Sequence, residues 1–134
     1  MKFHVALLVL TMLCLGQVEA QTKRVVVNVP PEAQQLIDDF RQAVLSKDIE
    51  RIAAYLAPDY KSNGRSRDVI IGRFRQNIDY ITRHDMHFVR FEAIGNDTYE
   101  FDGSIDYGVS VETIPSGSRM IRRDGRWFWH GNQK

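Results

Sequence analysis

The sequence predicts an α+β domain, in which three N-terminal helices pack in a curved, mainly antiparallel sheet of four or more strands. Two observations support this class. Apolar residues recur at helical spacing between residues 32 and 84, whereas after residue 84 they alternate with polar ones. Turn-forming stretches such as Gly95-Asn96-Asp97 and Asp124-Gly125 then separate the alternating segments. A curved sheet wrapped around the helices would leave an open-ended cone.

The first twenty residues are predicted to be a signal peptide. Lys2 precedes an apolar run over 5–15, and Val18 and Ala20 occupy the positions that a signal peptidase recognises before its cleavage site. The run is too short to span a bilayer, which takes about 20 residues. Secretion is therefore expected, and a retained membrane anchor is the alternative.

After cleavage the chain would keep an extended lead-in over 21–31 and a single domain over 32–132. The only cysteine, Cys14, lies in the predicted signal peptide, so the mature chain has no thiol for disulfides, nucleophilic catalysis or metal binding. The lack of disulfides favours a bacterial periplasm as the location. A net charge of +1 provides no basic excess, so neither nucleic acid nor a membrane is expected as a partner.

Three helices are predicted in the first part of the domain. Pro30-Pro31-Glu32 begins the first, Asp48 caps a short second helix that ends before Pro58, and Ser66 caps a third that continues to His84. The apolar faces are, in order, Ala33, Leu36, Ile37, Phe40 and Val44; Ile49, Ile52, Ala53 and Leu56; and Ile70, Phe74, Ile78 and Ile81.

Four strands in an antiparallel meander are predicted in the second part, beginning with HFVRFEAI over 87–94. The second strand is the long alternating stretch over 99–112, in which Gly103 or Gly108 allows a bend. SRMIRR over 118–123 and RWFWHG over 126–131 complete the meander. The residues expected to face inward are His87, Val89, Phe91 and Ala93 in the first strand, and Tyr99, Phe101, Gly103, Ile105, Tyr107, Val109 and Val111 in the second.

The remaining positions of these strands are charged, and they are expected to face outward. Glu100, Asp102 and Asp106 lie opposite the arginines of the following strands, which are Arg119, Arg123 and Arg126. Cross-strand pairs of this kind contribute about 0.2–1 kcal/mol each and help to fix the strand register. Because such a face is unsuited to a dry dimer interface, we expect a monomer or a weak homodimer.

Three short motifs resemble the nuclear transport factor 2-like superfamily. They are Asp59-Tyr60 after the second helix, Gly64-Arg65-Ser66-Arg67-Asp68-Val69-Ile70 at the start of the third, and Arg122-Arg123-Asp124-Gly125-Arg126-Trp127 at the last hairpin. The likeness spans residues 32–130. It implies a cystatin-like cone with a pocket rather than one reaction, because the superfamily contains ketosteroid isomerases, dehydratases, polyketide cyclases and non-enzymatic secreted members. It also implies that Trp127 packs against neighbouring strands.

The resemblance implies candidates for an active site, because enzymes with this cone use an Asp or His base and a Tyr donor in an apolar cavity. His87, on an otherwise apolar strand face, and Asp59 with Tyr60 are the catalytic candidates. The structural alternatives are a histidine at the rim and an aspartate that caps a turn. The residues expected to contact a ligand are Tyr99, Tyr107, Phe91, Phe101 and Trp127.

The leading hypothesis is therefore a secreted domain that binds a small apolar or amphipathic molecule in the cone, without turnover. A cofactor-free lyase or isomerase of the polyketide-cyclase type is the alternative, although Asp102 and Asp106 fall on the outward register, where an isomerase acid is not expected. A third hypothesis is a scaffold for protein contact through the Arg-rich third helix. No cofactor and no metal are expected, since His84 and His87 should face opposite ways.

Overall fold

A computed structural model describes residues 27–134 and shows the predicted α+β class. The predicted signal peptide and the beginning of the lead-in, residues 1–26, lie outside the described residues. The helices are α1 (Pro31–Leu45), α2 (Ile49–Ala54) and α3 (Arg67–Asn77), and a 3-10 turn over Ile78–Tyr80 follows α3. The strands are β1 (Lys61–Ser62), β2 (Arg65–Ser66), β3 (Asp85–Ala93), β4 (Thr98–Asp106), β5 (Val111–Thr113), β6 (Ser118–Arg123) and β7 (Arg126–Gly131).

The helices begin where local sequence predicts them to begin. Pro30 and Pro31 start α1, the Asp48 carboxylate accepts a bond from the Arg51 amide at 3.1 Å, and the Ser66 hydroxyl accepts one from the Val69 amide. Each predicted apolar residue of α1 is buried. Within residues 27–134 no helix is long and apolar enough to cross a membrane.

The third helix is shorter than predicted. It ends at Asn77 rather than continuing to His84. After the 3-10 turn, the amides of Thr82 and Arg83 both donate to the Tyr107 carbonyl at 3.1 and 3.2 Å. These amides bond across to the strand region, so they are not available for another helical turn.

The strands form a two-stranded hairpin, β1–β2, and a five-stranded antiparallel sheet. In the larger sheet the order is β3-β4-β6-β7, and β5 pairs with the other half of the β4 edge that β6 occupies. Two-residue turns are present at Asn63-Gly64 and, as predicted, at Asp124-Gly125, and all four residues have positive φ, as a type I′ turn requires.

The long alternating stretch is not one strand, so the prediction of a continuous strand over 99–112 is wrong. The chain turns after Asp106, where the Tyr107 amide donates to the Ser110 carbonyl at 2.8 Å and Gly108 has a φ of 87°. Val111 then pairs with Asp106 in β5. As a result, Val109 and Val111, which were expected to face inward, are exposed.

The inward face predicted for β3 is also wrong in its first half. The register shifts between Phe88 and Arg90, which leaves Val89 in a bulge and 69% exposed. Met86 and Phe88 therefore pack against the core before the bulge, and Phe91 packs there after it. Because a shift of one residue reverses the face of each side chain, His87 lies exposed on the outer face.

The outer face of the sheet carries the predicted charged pairs, with different partners in two cases. Glu100 binds Arg119 at 3.0 Å, as predicted, but Asp102 binds Arg90 at 2.6 Å and Asp106 lies 3.6 Å from Arg83. The Arg90 guanidinium also contacts Glu100 at 2.9 Å. One arginine on β3 thus joins two acidic residues of β4.

Candidate functional site

The main feature of the molecule is an open cavity of about 860 Å³ between the helices and the sheet. Its volume lies in the range of about 300–1,000 Å³ typical of small-molecule sites. The apolar part of its wall comes from α1, α3, the sheet and the adjoining loops, and it includes Phe40, Ile70, Phe74, Ile81, Met86, Phe101, Ile105, Ile114 and Trp129. Helical spacing explains the contribution of α3, because Ile70 and Phe74 lie one turn apart on the same face.

Two buried polar groups adjoin Phe40 in the cavity wall. The rings of His84 and Trp129 pack edge-on against Phe40, with centroid distances of 5.2 and 5.7 Å. His84 Nδ1 and Trp129 Nε1 are both buried and have no hydrogen-bonding partner within residues 27–134. A buried polar atom left unpaired costs about 1–3 kcal/mol, and most buried polar atoms in folded proteins are paired.

Burial keeps the ionisable groups of the interior neutral. It lowers the pKa of His84, which is 2% exposed, from 6.5 to about 4. Burial also raises the pKa values of Tyr60 and Tyr107 above the usual value of 10.0, and for Tyr107 the charge of Glu112 acts in the same direction. The cavity therefore presents an imidazole and two phenols, all uncharged at neutral pH.

Of the residues predicted to form the site, three line the cavity: Tyr60, Tyr107 and Phe101. Phe101 is fully buried in the core, and Tyr107 packs edge-on against His84 at 5.5 Å. Tyr107 is held in the wall by the segment that follows α3, because the amides of Thr82 and Arg83 both donate to its carbonyl. Their predicted roles towards a ligand stay predictions.

His87 does not line this cavity, because the β3 bulge places its side chain outside. Asp59 does not line it either, although Tyr60, the next residue, does. The Asp59 carboxylate forms two bonds with Arg123, at 2.6 and 2.8 Å, and lies 3.1 Å from His130 Nε2. The Arg123 guanidinium holds the pKa of Asp59 well below its usual range, so this carboxylate is poorly suited to accept a proton.

The other three predicted ligand residues form an aromatic stack beyond the cavity. Phe91 packs on Tyr99 at 5.3 Å, and Tyr99 stacks on Trp127 at 4.8 Å. The Tyr99 hydroxyl donates to Glu32 of α1 at 2.5 Å, and Arg122 covers the Trp127 ring at 5.5 Å. None of the three lines the cavity, so the stack joins the sheet to the start of α1.

The arginines of the third helix do not share one surface. Arg67 donates to the carbonyls of Ala53 and Leu56 and thereby closes the end of α2. Arg73 lies at the cavity, together with Arg65 from β2. Arg83 lies beyond the helix, beside Asp106.

Sequence reasoning did not select His84, Trp129, Arg65 or Arg73 as members of the site. A signal for His84 exists, because alternation counted back from Met86 and Phe88 places residue 84 on the same face. The β3 bulge concealed it, since counting from Phe91 gives the opposite face.

Within residues 27–134 no group of three or more His, Cys, Asp and Glu side chains is arranged to hold a metal ion.

Comparisons with known proteins bear on this arrangement of helices, sheet and cavity. No known family model and no curated protein sequence matches the chain. Solved structures do match, and they include three proteins of unknown function. One is an NTF-2 like protein from Silicibacter pomeroyi DSS-3, with 13% identity, 75% of this chain and 88% of that chain covered, and a TM-score of 0.57.

A second match is an NTF-2 like protein from Shewanella oneidensis MR-1, with 13% identity, coverage of 75% and 93%, and a TM-score of 0.56. A third, from Nostoc punctiforme PCC 73102, has a cystatin-like fold, 14% identity, coverage of 75% and 84%, and a TM-score of 0.53. The chain therefore has a cystatin-like α+β fold. More specifically, it has the nuclear transport factor 2-like form of that fold, as the sequence motifs implied.

Proposed function

We propose that the protein binds one small apolar or amphipathic molecule in the cone-shaped cavity, without turning it over. The observation that carries this proposal is the cavity itself, because side chains leave about 860 Å³ of it open. Its wall is mainly apolar and includes the aromatic rings of Phe40, Phe74 and Trp129. Burial of an apolar ligand against such a wall contributes about 25 cal/mol for each Å² removed from water.

The proposal is tested by titrating the purified protein with N-phenyl-1-naphthylamine. This neutral apolar dye becomes more fluorescent when it moves from water into an apolar environment. We expect saturable binding with one dye per chain. Ile70→Trp places a larger side chain in the cavity and should weaken binding at least about tenfold, or about 1.4 kcal/mol. Val69→Trp is the matched control, because Val69 is 48% exposed and does not line the cavity.

Absence of saturable binding, or equal loss in the Ile70→Trp and Val69→Trp variants, would overturn the proposal. Circular dichroism and thermal unfolding of both variants show whether each is folded before the affinities are compared. Asp59→Asn serves as a second control, because Asp59 does not line the cavity and its replacement should leave dye binding unchanged.

Catalysis as a lyase or isomerase is a second candidate function, favoured by the placement of His84 and Tyr107 in one apolar cavity. Proton transfer is most efficient when the pKa of the catalytic group lies near the working pH. Burial shifts both pKa values away from neutrality, to about 4 for His84 and upward for Tyr107. This mismatch is why we place binding before turnover. A substrate whose turnover falls about 100-fold or more in His84→Gln, with binding retained, would reverse the order.

Export is also part of the proposal. A signal peptide over 1–20 would direct the domain to a bacterial periplasm, where a cysteine-free chain needs no oxidative folding. N-terminal sequencing of the protein recovered from the periplasmic fraction should begin at Gln21. A chain that keeps Met1, or that fractionates with the membrane, would contradict this.

A further inference from the structure

The mouth of the cavity contains charged residues from three elements. Arg65 comes from β2, Arg73 from α3, and Glu112 from β5. Arg119 also lines the cavity, but its guanidinium is already bound to Glu100 at 3.0 Å. Arg65 and Arg73 are exposed, and neither forms an ion pair within residues 27–134.

The interior and the mouth therefore differ in charge. The ionisable groups of the interior, which are Tyr60, Tyr107 and His84, are all uncharged at neutral pH. A charged ligand group placed there would therefore lose its hydration without compensation. At the mouth, two unpaired cations outnumber one anion, Glu112. A ligand that matches both regions has an apolar body and an anionic end.

The two arginines come from one continuous segment of the chain, β2 and the helix that follows it. In α3, Ile70, Arg73, Phe74 and Asn77 all line the cavity, as spacings of three and four residues on one helical face allow. Ser66 of β2 is the N-cap of α3, so Arg65 lies immediately before the start of the same helix. Apolar and cationic side chains are thus adjacent on one wall.

We infer that the natural ligand is an amphipathic carboxylate, whose apolar body occupies the cavity and whose carboxylate binds Arg65 and Arg73 at the mouth. This inference rests on the proposed binding function and adds the charge of the ligand to it. Guanidinium groups bind carboxylates through paired, charge-assisted hydrogen bonds. The Glu112 carboxylate should repel the carboxylate of the ligand. Removing its charge should therefore strengthen the binding of an anionic ligand.

The test compares decanoate, decanol and decylamine, which share one apolar chain and differ in charge at neutral pH. The Trp127→Phe variant leaves Trp129, which lines the cavity, as the only tryptophan, so its fluorescence reports occupancy. We expect decanoate to bind about tenfold more tightly than decanol, and decylamine to bind no better than decanol. Added salt should weaken only the preference for decanoate.

Substitutions of the charged residues at the cavity mouth test whether these residues cause the preference for decanoate. In the same background, Arg65→Gln and Arg73→Gln should each reduce the ratio of decanoate to decanol affinity several-fold. Glu112→Gln should increase the ratio. Arg75→Gln is the matched control, because Arg75 lies on α3 but does not line the cavity.

The outcomes separate the inference from the function on which it rests. If decanol and decanoate bind equally, or decylamine binds most tightly, the inference is wrong and the binding function stands. If none of the three ligands nor the naphthylamine dye binds, the binding function itself is wrong. A preference for decanoate that Arg65→Gln and Arg73→Gln leave intact would also overturn the inference, because the anion would then bind elsewhere.

Discussion

At the residue scale, the two histidines near the start of β3 have opposite environments. His84 is almost completely buried between Phe40 and Tyr107, whereas His87 is exposed. The sequence suggested His87 as one of the catalytic candidates because it falls on an otherwise apolar strand face. The buried histidine is His84, and a buried imidazole must remain neutral or lose free energy.

His84 is expected to make the protein less stable as the pH falls below neutral. Burial lowers the pKa of the imidazole from 6.5 to about 4, so the unfolded chain binds a proton more readily than the folded one. This contribution is complete above pH 6.5 and is lost as the pH falls to about 4. Its total is on the order of 3 kcal/mol, which urea unfolding at a series of pH values measures.

Two variants isolate this effect of His84. His84→Phe, which can pack against the same rings, should remove most of the change in stability across that pH range. His87→Gln should leave it intact, because His87 is exposed. Asp59 interferes little, since its pKa lies well below the usual range and its own contribution is lost at lower pH. An unchanged pH dependence in His84→Phe would show that the imidazole is not protected by burial.

At the scale of elements, the pairing of β3 with β4 decides which side chains reach the cavity. The bulge at Val89 changes the register, and Gly103 on β4 faces it. A Cβ atom added to Gly103 would lie 2.0 Å from the His87 carbonyl oxygen. Glycine is therefore required here for the close approach of two backbones, as in other strand glycines at bulges.

Gly103→Ala should destabilise the protein by about 1–3 kcal/mol or more, because the clash involves backbone atoms that cannot rotate away. Urea unfolding at neutral pH measures the change in the free energy of unfolding. Gly72→Ala is the matched control: nothing lies within 4 Å of its added Cβ. In helix α3 that change should stabilise by about 0.5–1 kcal/mol. Equal effects of the two substitutions would contradict the requirement for glycine at position 103, where the backbones of β3 and β4 approach closely.

At the scale of the whole molecule, the last strand connects the helices to the sheet. Trp129 donates its backbone amide to the Tyr55 carbonyl and accepts at its carbonyl from the Ala57 amide, both at 2.9 Å. Its indole also contacts Phe40 of α1 and Phe101 of β4, at 5.7 Å in each case. The aromatic end of the chain is thus core and hairpin, as expected, with Trp129 as its buried centre.

Trp129→Ala should cost about 3–5 kcal/mol, because it opens a space at the junction of three elements. Trp127→Ala should cost clearly less, since Trp127 is only partly buried and stacks on Tyr99 at the edge of the core. Chemical unfolding of both variants gives the comparison. A larger loss for Trp127→Ala would mean that the stack, rather than the junction, holds the last strand.

The sequence alone determined the features that depend on near neighbours. Helix starts at Pro30-Pro31, Asp48 and Ser66, and turns at Asn63-Gly64 and Asp124-Gly125, follow from capping and positive-φ preferences within a few residues. The buried face of α1 follows from its period. Together with the short motifs, these features were sufficient to predict the α+β fold and its nuclear transport factor 2-like form.

Tertiary structure decided which side chains surround the cavity. The β3 bulge moved His87 out, and the turn after Asp106 exposed Val111 while Tyr107 reached the cavity wall. Strand side chains alternate with a period of two, so one inserted or turned residue reverses every face beyond it. Such shifts arise from pairing between distant segments, such as Gly103 against His87, and local patterns carry no information about them.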